Sequence, residues 1–98
     1  MALTRVGNTI YTTVDGEISG KYILLGAVLT ATAANAVAII HDEVGGTPST
    51  PKLQLRLAAA GDTEYFNFAL SPIRFEKAIQ LDSMTNAALT LIIKEVGQ

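Results

Sequence analysis

YILLGAVLTATAANAVAII, residues 22–40, runs nineteen positions without a charged side chain, and every other stretch of the chain is shorter and more often interrupted. Its reading decides the fold. A membrane span, a buried helix and two strands compete for it. The length suffices for a span, since about 20 apolar residues cross a bilayer. Against that, its middle is Thr30-Ala31-Thr32-Ala33-Ala34-Asn35, polar where lipid is driest, and Lys21 and His41-Asp42-Glu43 at its ends give no strong positive bias. A helix over residues 30–38 draws on the high propensity of alanine, but Thr and Asn weaken it there and Gly26 disfavours helix upstream. Two strands joined at the small polar stretch Thr30–Asn35 fit best.

The pattern inside those strands carries a second message. Tyr22, Leu24 and Val28 share one face, Ile23, Leu25 and Leu29 the other, and Ile39 and Ile40 point opposite ways. A strand that covers one side of a core alternates apolar with polar residues. These do not, so both faces are expected to be covered, one by the domain core and the other by something else. Gly26 marks a bulge or a close backbone approach.

Working outward, residues 2–14 are rich in Val, Ile, Thr and Tyr and read as one extended strand or arm. This piece either folds back on its own sheet or reaches onto a neighbour. Asp15-Gly16 suits a tight hairpin turn, and Ser19-Gly20 offers a second break. Residues 44–51, VGGTPSTP, form a loop that cannot continue a ladder. Lys52–Ala59 alternates, with Leu53, Leu55 and Leu57 inward. After Gly61-Asp62, Phe66, Phe68 and Leu70 share a face, so residues 51–70 read as an antiparallel hairpin with leucines facing phenylalanines. Ser71-Pro72 breaks the chain. The alternation of Ile73 and Phe75 then slips at Lys77-Ala78, where a bulge or a short crossing segment is expected. Asp82–Asn86 is a turn, and Leu89, Leu91 and Ile93 make the last strand, with Thr90, Ile92 and Lys94 on its other face. The expected fold is all-β, a seven- to eight-stranded antiparallel β-sandwich or jelly roll. It forms one domain, with residues 1–20 as an N-terminal strand or arm and 21–98 as the sandwich.

Composition narrows the functions. With 98 residues and no cysteine, the fold stands on packing alone and has no disulfide or Cys-based zinc site. A net charge of −2 with no basic stripe argues against nucleic acid as a partner. No secretory signal is visible in MALTRVGNTI. Charged residues make up only 16% of the chain against about 25% in typical domains. A small domain with so few charges and 49% apolar residues is expected to have part of its outer surface buried by copies of itself or by a larger partner.

No residue announces a chemistry. His41 is the sole histidine and stands at a strand end without the partners a triad or metal site needs. Asp15 with Glu17, and Asp62 with Glu64, fall short of the six to eight oxygens calcium wants. Gly45-Gly46 lacks the Lys-Ser/Thr of a phosphate loop. Tyr11, Tyr22 and Tyr65 are the candidates for a sugar-binding platform, but such platforms usually include Trp, which the chain lacks, and the tyrosines read rather as core or interface anchors. The chain is therefore expected to be no enzyme, with no catalytic residue, cofactor or metal.

The succession KYILLGAVLTATAANAVAIIHD, a Gly/Pro loop, KLQLRLAAAGDTEYFNFALSPIRFEKAIQLD and ALTLIIKE resembles small β-sandwich virion structural proteins of tailed bacteriophages, over about residues 20–95. The shared motifs are packing motifs and carry over no functional residue. The resemblance implies a capsid decoration, or cement, protein that binds the major capsid protein lattice as a small homo-oligomer, a trimer for example. It would sit on the capsid surface after synthesis in the host cytoplasm. A tail, neck or fibre-base component is the alternative, and a carbohydrate-binding module a further one. Ile10, Tyr11, Tyr22, Ile40 and Ile92 are the residues expected at the oligomer or partner interface, with no membrane and no nucleic acid involved.

Overall fold

The computed structural model describes residues 2–45 and 50–96, and these hold ten strands and no helix. They are β1 (Arg5–Val6), β2 (Thr9–Thr12), β3 (Gly16–Ser19), β4 (Tyr22–Ala31) and β5 (Ala36–His41). After the loop come β6 (Leu53–Leu57), β7 (Thr63–Asn67), β8 (Ile73–Phe75), β9 (Ala78–Leu81) and β10 (Ala87–Glu95). The fold is an antiparallel sandwich of two sheets. The larger runs β1-β2-β10-β4-β7, with β8 also on β4, and the smaller runs β3-β9-β5-β6. The count exceeds the seven or eight expected because β1 and β8 are only two and three residues long.

The 22–40 run is two strands, as its polar middle implies, but β4 and β5 lie in opposite sheets. Residues 32–35 carry the chain across, with Asn35 at φ 60°, a left-handed conformation that Asn tolerates. Most connections cross in this way. Asp15-Gly16 is not a hairpin turn, because β2 belongs to the larger sheet and β3 to the smaller. Thr12 helps the crossing, its hydroxyl accepting from Val14 N–H and donating to Val14 C=O. The hairpin expected over 51–70 is likewise corrected. β6 pairs with β5 and β7 with β4, so leucines and phenylalanines share the core between the sheets rather than a ladder. The slip at Lys77 is a crossing segment from β8 to β9. The 44–51 loop lies partly outside the described residues; Val44, Gly45, Thr50 and Pro51 belong to no strand.

The N-terminal residues stay with their own chain. β2 pairs with β10, β1 folds back on β2, and Leu3 N–H donates to Glu17 C=O beside a parallel bridge from Ala2 to Glu17. Leu3 is buried there. The first twenty residues thus contribute to both sheets of the sandwich.

The core lies between the sheets; its buried side chains are aliphatic apart from Phe75 and Tyr22, with Phe66 and Phe68 partly buried against them. Leu24, Leu29, Leu89 and Leu91 enter from the larger sheet, Ile40 and Ile79 from the smaller, all fully buried. On β4 the inward series reads Tyr22, Leu24, then Ala27, Leu29, Ala31. The parity changes because β4 carries one extra residue: Ile92 pairs with Gly26 and Ile93 with Leu24, leaving Leu25 in a bulge. Gly26 beside it leaves room for the Tyr65 ring: a Cβ there would lie 3.0 Å from Tyr65 Cε1 and from its hydroxyl oxygen, and 3.3 Å from Phe66 C=O.

The crossing from β8 to β9 is pinned by one carboxylate. Asp42, just past β5, accepts from the backbone N–H groups of Glu76, Lys77 and Ala78 at 2.9, 2.8 and 3.2 Å, and Lys52 Nζ stands 3.9 Å away. Burial pulls this carboxyl upward, but the three donors and Lys52 outweigh it and hold it below the ordinary carboxylate range.

Two outcomes follow from this geometry. Gly26→Val is expected to destabilise by about 2 kcal/mol, and adding Tyr65→Ala to recover only part, since the Phe66 carbonyl remains; urea midpoints measure both. Because Asp42 titrates lower in the folded than in the unfolded chain, its contribution is complete above pH ~5 and fades as pH falls through its folded-state pKa. Asp42→Asn is therefore expected to cost about 2 kcal/mol at pH 7. The gap to wild type should close in acid, which thermal melts across pH 2–7 would follow.

Candidate assembly surface

A sandwich has two outer faces, and here they differ in chemistry. The smaller sheet presents polar groups. Glu17 Oε1 accepts from Gln80 Nε2 at 3.0 Å and from Gly45 N–H at 2.7 Å, and Arg56 donates to Gln54. The larger sheet presents hydroxyl, amide and apolar groups but, over three rows, no charge. Its outward residues are fixed by register with the buried ones. Since Leu89, Leu91, Ala27 and Leu29 point in, the paired residues between them point out. One row across four strands reads Tyr11, Thr90, Val28, Tyr65. The row on one side is Thr9, Ile92, Gly26, Asn67, and on the other Ala88, Thr30, Thr63. The Thr30 and Thr63 hydroxyls are 3.2 Å apart.

These three rows carry no charge. The next row, Lys94, Ile23, Arg74, brings both cations to one end. Arg74 is paired with Glu76. The two tyrosines stand proud, Tyr11 at 65% and Tyr65 at 55% exposure, three strand spacings or about 14 Å apart. Between them Val28, Thr90 and Ile92 are half-buried.

The five residues expected at an interface divide. Tyr11 and Ile92 lie on this outer face. Ile10 and Ile40 are fully buried and Tyr22 is 5% exposed, so these three belong to the chain's own core. The reason is parity: Ile10 pairs with inward-facing Leu91 and Ile40 with inward-facing Leu81. Tyr22 is further occupied, its ring under Arg5, which is paired with Glu95 at 2.8 Å. Tyr65, Val28 and Thr90 complete the face. Their signal in the sequence is the run of apolar or hydroxyl residues at Val28, Thr30, Ala88, Thr90 and Ile92, the outward positions short of Lys94.

Some sheet edges carry features that discourage strand addition. β1 is only two residues long, and the free edge of β3 is covered by residues 2–3. On β7, Glu64 pairs with inward-facing Leu29 and so sets a charge on the core side of an edge strand.

The chemistry-bearing residues do not converge. His41 is 4% exposed, its Nε2 is 3.9 Å from Asp82 Oδ2, and neither ring nitrogen has a hydrogen-bond partner. Asp15 accepts from Met84 N–H, bracing the last turn. Among the described residues no three His, Asp or Glu side chains are grouped to hold a metal, and no helix is long and apolar enough to cross a membrane. Comparison with known proteins returns no matching family model, no matching curated protein and no matching solved structure.

Proposed function

We propose that the protein is a non-enzymatic structural component of a virion, a decoration protein that binds the major capsid protein lattice of a tailed-phage head and reinforces it. The observation that carries the reading is the three uncharged rows on the outer face of the larger sheet. A face of tyrosine, valine, isoleucine and threonine gains free energy when neighbours cover it, at roughly 25 cal/mol per Å² of apolar area. Summed over many copies on a shell, this adhesion opposes outward pressure. The virion setting comes from the resemblance of residues 20–95, and the low charge content supports an obligate assembly.

A second reading draws on the two exposed tyrosines in one row, which suit stacking on a sugar. A glycan array would favour it by returning a specific hit lost in Tyr11→Ala.

Virions of the encoding phage are expected to contain the chain in fixed proportion to the shell protein, with antibody labelling on the head. Labelling on the tail, or absence from particles, refutes the head assignment. Ile92→Asp is expected to keep its unfolding free energy, measured by urea titration, within about 1 kcal/mol of wild type while attachment to shells is lost in co-sedimentation. Ile40→Asp is expected to fail to fold, because it buries an unpaired charge at a cost above about 4 kcal/mol.

A further inference from the structure

We infer that one end of the smaller sheet binds a divalent transition-metal ion between His41 Nε2 and Asp82 Oδ2, with the side-chain oxygen of Gln80 as a third donor. The inference stands apart from the decoration role and from the outer face of the larger sheet.

Register brings the donors together. Gln80 on β9 pairs with His41 on β5 and with Glu17 on β3, so the three form one row across the smaller sheet. Ile40 and Leu81 beside them are core residues, which turns the row outward. Gly45 lies over it, its N–H donating to Glu17 Oε1 and its C=O accepting from Gln80 Nε2 at 3.4 Å. That cover is why outward residues are buried, His41 at 4% and Gln80 at 9% exposure. Asp82 directly follows β9, and its N–H donates to Ile39 C=O at 3.2 Å, which keeps it beside the end of β5.

Three buried polar atoms of this row have no hydrogen-bond partner among the described residues: both ring nitrogens of His41 and Gln80 Oε1. Buried groups of this kind are rare, because each forfeits its hydration. Gln80 Nε2 donates to Glu17 at 3.0 Å, so the amide oxygen is turned away from that carboxylate. His41 Nε2 and Asp82 Oδ2 are 3.9 Å apart, too far for a hydrogen bond. The separation is close to twice the distance of about 2.0 Å that imidazole and carboxylate donors take to zinc. An ion between the two atoms therefore meets both. The Asp82 side chain is 44% exposed and has room to turn toward a tighter coordination angle.

Charge favours a dication. Asp15, Glu17 and Asp82, with Gln80, line a hollow of about 200 Å³. The Lys and Arg ion pairs of the described residues go instead to Asp42, Glu43, Glu76 and Glu95. An imidazole nitrogen among the donors selects a transition ion over calcium or magnesium, which take oxygen. No third His, Asp or Glu is grouped with the pair among the described residues, so the other coordination positions fall to Gln80 and solvent.

The chain has one histidine and no cysteine, so its imidazole signals are unambiguous and no thiolate competes for the metal. Zinc added to the folded protein is expected to shift both carbon-bound imidazole protons in NMR spectra and to raise the melting temperature. Magnesium is expected to do neither. Asp82→Asn keeps the shape of the side chain and is expected to weaken zinc binding about tenfold or more. His41→Gln is expected to abolish it, and Asp62→Asn, in the turn before β7, to leave it unchanged. Imidazole signals that follow pH but ignore zinc overturn the inference. So does an Asp82→Asn variant that binds zinc as tightly as wild type, and this variant decides the matter if His41→Gln fails to fold.

Discussion

The structure depends on the ladder between β4 and β10. Nine residue pairs join them, from Ala87 with Ala31 to Glu95 with Tyr22. Because both strands are long and central, every neighbour takes its register from them: β2 on one side, β7 and β8 on the other. One face of the ladder supplies the leucines of the core. The other cannot be covered by the chain's remaining strands, since those are spent on the smaller sheet. A domain of this size has one core to offer, and the second, largely uncharged face is what is left over.

Polar groups are used sparingly and at the crossings. Asp42, Asp15 and Glu17 each accept backbone N–H groups from distant segments, and each fastens one sheet or connection to another. The few carboxylates of this charge-poor chain act as tethers for main-chain groups that would otherwise end in crossings without partners. The edges are handled with equal economy, by short strands, a covering N-terminus and an inward-facing glutamate.

Much of this was legible in residue order. The two-strand reading of 22–40, the alternation of Leu53, Leu55 and Leu57, and the outward set Thr90, Ile92, Lys94 all reappear. Pairing was less legible, because adjacency in sequence predicts hairpins while this chain mostly changes sheets at its turns. Gly61-Asp62 looks like a hairpin turn and is a corner. The face assignments on β4 went astray at one point. Gly26 signals a bulge, but a bulge also reverses parity beyond it, so Val28 lies outside and Leu29 inside. Ile40, next to outward Ile39, could not be told from an outward residue by pattern alone, and only its pairing with Leu81 places it in the core. Tyr65 stood out as an aromatic, but its alignment with Tyr11 needs a register across four strands.

The placement of β2 beside β10 has a consequence for how the molecule comes into being. Thr12 is joined to Leu89, so the larger sheet unites segments far apart in sequence and lacks its central ladder until β10 has been made. Loop closure over such separations is entropically costly, and domains built this way fold on the millisecond to second scale. During synthesis, at ≈ 5–20 residues per second, β4 waits for several seconds with its β10 side bare, although β7 and β8 emerge earlier on the other. The apolar face of that strand is thus open longest before the sandwich closes over it, and whatever guards the sheet edges protects only the completed product.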